Sequence, residues 1–92
     1  MRLDLYLKAS RLIPRRSLAQ KFCDADLVKV NDRTAKSSYS VKQNDEIEIK
    51  KHNRLIKVRV LETPEKKQVS KKDAENLYEI ISSEEIKDNL FK

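Results

Sequence analysis

The stretch MRLDLYLKASRLIPRRSLAQKF, residues 1–22, decides how the fold is read. Leu3, Tyr6, Leu7 and Ser10 recur at helical spacing and share one face, with Asp4, Lys8 and Arg11 on an adjoining stripe. Asp4 suits the positive end of a helix and forms an i,i+4 pair with Lys8. Pro14 interrupts the pattern and fits the first turn of a second helix, where its missing N–H costs little. Leu18, Ala19, Phe22 and Cys23 give that second helix its apolar face. Arg15 and Arg16 fall in its first turn, beside backbone N–H groups that attract anions. Against the single acid Asp4 stand Arg2, Lys8, Arg11, Arg15, Arg16 and Lys21. An arginine fork donates two hydrogen bonds to one phosphate, so a compact basic helical pair points to nucleic acid.

Downstream of Leu27 the period changes to two. Leu27–Val30 reads as a short strand, Asn31-Asp32 as a tight turn that tolerates positive φ, and Arg33–Lys36 as the returning strand. Ser37, Ser38 and Ser40 form a polar loop, and Asn44-Asp45 marks another turn. Glu46–Lys50 and Ile56–Val60 alternate cleanly, so each buries one face. Residues 62–72 read as an exposed loop or linker, and Asp73 as the cap of a last helix, Ala74 to Ile81, with Leu77 and Ile81 spaced to dock. That helix can continue or fray through Lys92. The expected fold class is α+β: two short N-terminal helices on a small, mostly antiparallel sheet, with a C-terminal helix. The expected division is a binding unit at 1–61 and a basic linker with an acidic helix at 62–92.

Composition narrows the possibilities. Net charge is +5 over residues 1–22, +5 over 23–72 and −4 over 73–92, so the basic character stops before the last segment. One cysteine excludes an internal disulfide, and one Cys with one His cannot close a zinc site. The single cysteine suggests a reducing cytoplasm, and with no apolar run near the length of a membrane span and no uninterrupted apolar core at the N-terminus, a soluble protein without a membrane partner is expected. The 92 residues contain no glycine, which removes every glycine-rich phosphate-cradling motif and obliges Asp26, Asp32 and Asn44 to take turn positions that usually need it. Cys23 reads as a core residue, His52 as an exposed loop residue, and Leu5 as an incidental surface residue.

RLDLYLKASRL, PRRSLAQ, VKVND, TAKSS and VKQNDEIEI together resemble the S-four RNA-binding domain. The family pattern is RLD, a downstream Arg-Leu, a second basic helix, a V-x-V-N-G hairpin, Lys-x-Ser, and V-x-x-G-D before an alternating strand. The resemblance covers residues 1 to about 60, and RLIPRRSLA is most similar to the RqcP-type quality-control factors, relatives of heat-shock protein fifteen. It implies the αL-type arrangement of helices and sheet. It also implies binding to tRNA and large-subunit rRNA on large ribosomal subunits that still hold peptidyl-tRNA, in support of alanine tailing by an RqcH-type elongation factor. RNA-facing positions carried over are Arg2, Arg11, Arg15, Arg16, Asn31 and Lys36, with Lys8 and Ser38 in addition. Asp26, Asp32 and Asn44 stand where the family usually has glycine.

An enzyme is disfavoured, with no catalytic residues, cofactor or metal expected: no nucleophile is matched to a base and no two carboxylates share a face. A ribosome-assembly factor or constitutive ribosome-associated RNA binder is the nearer alternative, and a helix-turn-helix DNA binder the more distant one. With Tyr6 and Phe22 on core faces there is no stacking platform for single strands, so structured RNA is the expected target; a monomer is the expected state.

Overall fold

The computed structural model describes residues 1–64 and 69–85. Among them α1 (Leu3–Ala9) and α2 (Arg16–Asp24) precede β1 (Val28–Val30), β2 (Arg33–Thr34), β3 (Glu46–Lys51) and β4 (Arg54–Val60), and a short α3 (Lys71–Ala74) leads into β5 (Tyr78–Glu85). The strands form one antiparallel sheet in the order β2-β1-β3-β4-β5. This is the expected α+β arrangement of two N-terminal helices on an antiparallel sheet.

The period-two pattern sets the register. Val28 and Val30, Ile47 and Ile49, Val58 and Val60 are buried on one face, against Leu3, Tyr6, Leu7, Ile13, Ala19 and Cys23 from the helical side. Each large apolar side chain so buried contributes about 1.5–3 kcal/mol of transfer free energy. Slipping a strand by one residue would move its whole apolar set to solvent, which is why the pairing is specific.

Left-handed backbone replaces glycine throughout. Asp26, Asp32 and Asn44 all have positive φ, as their glycine-like positions require, and Asn31 joins Asp32 in the β1–β2 hairpin at φ 52° and 69°. Arg11 and His52 also adopt positive φ, which their side chains did not announce. Arg11 ends α1, where Ile13 N–H donates back to the Leu7 carbonyl at 3.2 Å.

Three expectations are corrected. Pro14 precedes α2 rather than entering its first turn; Arg15 is the N-cap and Arg16 the first helical residue. Asp4 pairs with Arg2 and Arg16, not Lys8. The helix expected from Ala74 to Ile81 with Asp73 as its cap does not form: a single turn, Lys71–Ala74, ends where it was to begin, its cap is Ser70 accepting from Asp73 N–H at 3.1 Å, and Tyr78–Glu85 is a strand on β4. Tyr78, Ile80 and Ile81 favour extended backbone, and the edge of β4 rewards it with an antiparallel ladder interrupted by one bulge. Leu77 docks as expected, whereas Ile81 is exposed. Part of the 62–72 linker and the stretch through Lys92 lie outside the described residues.

The C-terminal segment is nonetheless anchored to α1. Leu77 carbonyl accepts from the buried Tyr6 hydroxyl at 2.6 Å and from Leu61 N–H at 2.8 Å. Burial, with the nearby Tyr78, pushes the Tyr6 phenol well above its ordinary value, so it stays a donor at every physiological pH.

Candidate nucleic-acid interface

Asp4 is the organising group of the helical half. Its carboxylate, 0% exposed, accepts from Arg2 Nε at 3.2 Å, Arg16 Nε at 3.2 Å, Gln20 Nε2 at 2.9 Å and Leu5 N–H at 2.8 Å. Burial alone would raise its pKa, but the bonds from Gln20, Arg2, Arg16 and Leu5 outweigh it and hold the group below its ordinary value. The arginines stay 45% and 41% exposed. Arg2 engages Asp4 through Nε and, at 3.3 Å, Nη2, whereas Arg16 engages it through Nε alone, so one carboxylate fixes both guanidinium groups.

The polar loop is brought to the same place. Tyr39 carbonyl accepts from Leu3 N–H at 2.8 Å and Ser37 carbonyl from Asp4 N–H at 3.1 Å, while Val41 N–H donates to Met1 carbonyl at 2.8 Å. The free N–H groups that begin α1 are therefore spent on the 37–39 backbone, and Arg2 pairs with Ser40 as an isolated bridge. Beside this seam lies an open groove of about 570 Å³ lined by Asn31, Arg33, Thr34, Lys36, Ser38 and Tyr39.

Asp45 organises the groove. It is buried and accepts from Asn31 Nδ2 at 3.1 Å, Tyr39 hydroxyl at 3.2 Å and Lys42 N–H at 2.9 Å. Asn31 Oδ1 accepts from Glu46 N–H at 3.0 Å, so both ends of this amide are engaged in holding the hairpin. Burial, then the Asp45 charge and hydrogen bond, raise the Tyr39 phenol above its ordinary value.

The carried-over residues thus fall into three groups. Arg2 and Arg16 meet at Asp4, while Lys36, Ser38 and Asn31 meet at the groove. Arg11, Arg15 and Lys8 are set apart: Arg11 Nη2 donates to Val69 carbonyl at 3.3 Å, Arg15 is an exposed N-cap, and Lys8 is half-buried. No side chain caps α2, which leaves its first N–H groups to complement Arg15 and Arg16. Sequence reasoning missed Gln20, Arg33, Thr34, Tyr39 and Asp45. Gln20 lies four residues after Arg16 on the same helix stripe, and Arg33 directly follows the hairpin turn, so both carried a positional signal. Asp45 carried none. Cys23 lies in the core, and burial with the charges of Asp4 and Asp24 pushes its thiol up to about 11, so it stays protonated. Leu5 is half-buried.

Among the described residues, no cluster of metal-ligating side chains and no helix long and apolar enough to cross a membrane is present. Residues 1–47 match the family model described as S4 domain, which is the class that the helical pair and hairpin define. Over 90 residues the chain is 47% identical to the RQC P-site tRNA stabilizing factor of Streptococcus pneumoniae (strain ATCC BAA-255 / R6), covering 98% of this chain and 100% of that protein. It is 42% identical over 86 residues to the protein of the same name from Halalkalibacterium halodurans, covering 94% and 96%. A trimeric structure of Vibrio cholerae Heat Shock Protein 15 superposes with TM-score 0.81 at 26% identity, covering 89% of this chain and 82% of that one. The chain belongs to the S4 domain family, in the branch of the RQC P-site tRNA stabilizing factors.

Proposed function

We propose that this chain binds tRNA and large-subunit rRNA together on large ribosomal subunits obstructed by peptidyl-tRNA, and so supports alanine tailing by an RqcH-type elongation factor. The observation that carries this reading is the Asp4-locked pair Arg2 and Arg16 beside the Lys36–Ser38 groove: two basic surfaces set by different carboxylates. The names of the relatives, P-site tRNA stabilizing factors, support tRNA as one of the two RNAs. Arg2, Arg16, Arg15 and Arg11 contact phosphate; Lys36, Ser38 and Lys8 add charge and a hydroxyl; Asn31 acts by shaping the hairpin. The protein acts by holding, with no bond chemistry of its own, and two modest contacts made at once exceed either alone.

Purified protein should co-sediment more strongly with large subunits carrying peptidyl-tRNA than with empty ones, and the affinity should fall steeply with salt, because the counterions released on binding gain less entropy in a concentrated salt solution. A deletion strain should lose alanine tails on nonstop reporter proteins. Tails that persist, or constant stoichiometry on translating ribosomes, would replace this reading with a constitutive ribosome-associated role.

A further inference from the structure

Among the described residues β5 ends the sheet opposite β2, so the groove proposed to take RNA and β5 lie at opposite edges of the sheet. A strand paired on one side only turns alternate peptide N–H and C=O groups outward, ready to accept another strand. Proteins usually blunt such an edge with lysine, proline or brevity; Tyr78–Glu85 has eight residues and neither lysine nor proline. It also carries the exposed large apolar side chains found among the described residues, Ile80 at 60% and Ile81 at 40%. Lys57 pairs with Ser82 and Val58 with Ile80, so Ile81 is the extra residue of a bulge.

Charge selects the occupant. Glu79, Glu84 and Glu85 make the strand acidic within a chain of net charge +6; Arg59 is shared between Glu79 and Glu46, at 2.9 and 3.7 Å, while Arg54, opposite Glu85 in the register, donates to Ser83 Oγ at 3.0 Å. Phosphate would be repelled here. A second copy pairing antiparallel along this edge would set its own glutamates against these, which is unfavourable across strands. We propose that β5 is a docking edge for an extended, Lys/Arg-rich segment of a partner protein. The segment adds a sixth strand, covers Ile80 and Ile81 with its apolar side chains, and pairs its cations with Glu84 and Glu85. The protein would then hold RNA at one edge of its sheet and a basic protein at the other.

The test uses the full chain and fluorescent extended peptides that alternate valine with lysine or valine with glutamate. The lysine peptide should bind at least about tenfold more tightly than the glutamate peptide, and should slow amide exchange along 78–85. Two variants probe the two components: Ile80→Thr/Ile81→Thr, which keeps β-branched residues, and Glu84→Lys/Glu85→Lys, which reverses the charge. Each should lower lysine-peptide affinity about tenfold, with melting temperature and tRNA affinity retained; if one variant fails to melt cooperatively, the other decides. Equal binding of both peptides, or unchanged binding by the folded variants, overturns the proposal. So does loss of tRNA affinity in the isoleucine variant, which would make the edge an RNA surface. Self-association in sedimentation that the isoleucine variant abolishes would assign the edge to a second copy and overturn it as well.

Discussion

Asp4 and Asp45 are both buried carboxylates beneath a basic surface, yet they act on that surface in different ways. Asp4 grips the proposed phosphate-contacting residues themselves: two of its partners are arginine side chains, Arg2 through both Nε and Nη2 and Arg16 through Nε. Asp45 touches none of the groove's cations. Its partners are Asn31, Tyr39 and Lys42 N–H, which fix the hairpin and the ends of the loop between which Lys36 and Ser38 are suspended. One half is organised by charge pairing, the other by backbone shape. Changes around Asp4 should therefore alter charge orientation and stability together, whereas changes around Asp45 should loosen a loop.

The largest effect is expected from the arginines. Arg2→Ala/Arg16→Ala should lower affinity for tRNA by roughly 100-fold, from two charge-assisted contacts at about 1.5 kcal/mol each; filter binding checks this alongside a thermal melt. Arg11→Ala should cost less, because Arg11 is held away from that pair by Val69 carbonyl. A loss in Arg11→Ala as large as in the double variant would show that the Asp4 pair is not special.

Next is Asp4→Asn, which should destabilise the fold by about 3 kcal/mol, since it removes a buried charge from four donors. The same carboxylate gives a pH signature. Its pKa is lowered by folding, so its contribution is complete above its ordinary value of 3.8 and is lost as pH falls through the lower folded-state value. Denaturant melts of wild type should therefore weaken progressively below about pH 4, and the Asp4→Asn variant should show a flatter profile there. A profile that stays parallel to wild type would mean that Asp4 is not held below its ordinary value.

Asp45→Asn should be milder, about 1–2 kcal/mol from imperfectly replaced hydrogen bonds. It should speed amide exchange over 36–42 while leaving that of α1 and α2 unchanged. Exchange that rises equally in α1 would show the two halves to be one cooperative unit.

The smallest effect is that of Asp32→Gly. With positive φ at both Asn31 and Asp32, glycine relieves strain, and the exposed Lys57 to Asp32 pair at 3.8 Å adds little to retain the aspartate. Stabilisation of up to about 1 kcal/mol is expected from chemical denaturation; a lower melting temperature would show that Asp32 makes a contact worth more than the strain.

Residue pattern alone was enough for the elements that bury one clear face. Leu3, Tyr6 and Leu7 marked α1; Ile47 and Ile49 marked β3; and absent glycine pointed to left-handed turns at Asp26, Asp32 and Asn44. The arginine cluster was equally plain, because composition reports charge without needing a fold. Tertiary structure decided which cations meet. Whether Asp4 faced Lys8 or Arg16 depended on how α2 crosses α1, and no local spacing encodes that crossing. The same holds for Asp45, whose partners Asn31 and Tyr39 converge only when the hairpin closes. It holds most of all for Tyr78–Glu85, where helical spacing was outweighed by the open edge of β4, a long-range partner that offers seven paired positions around one bulge.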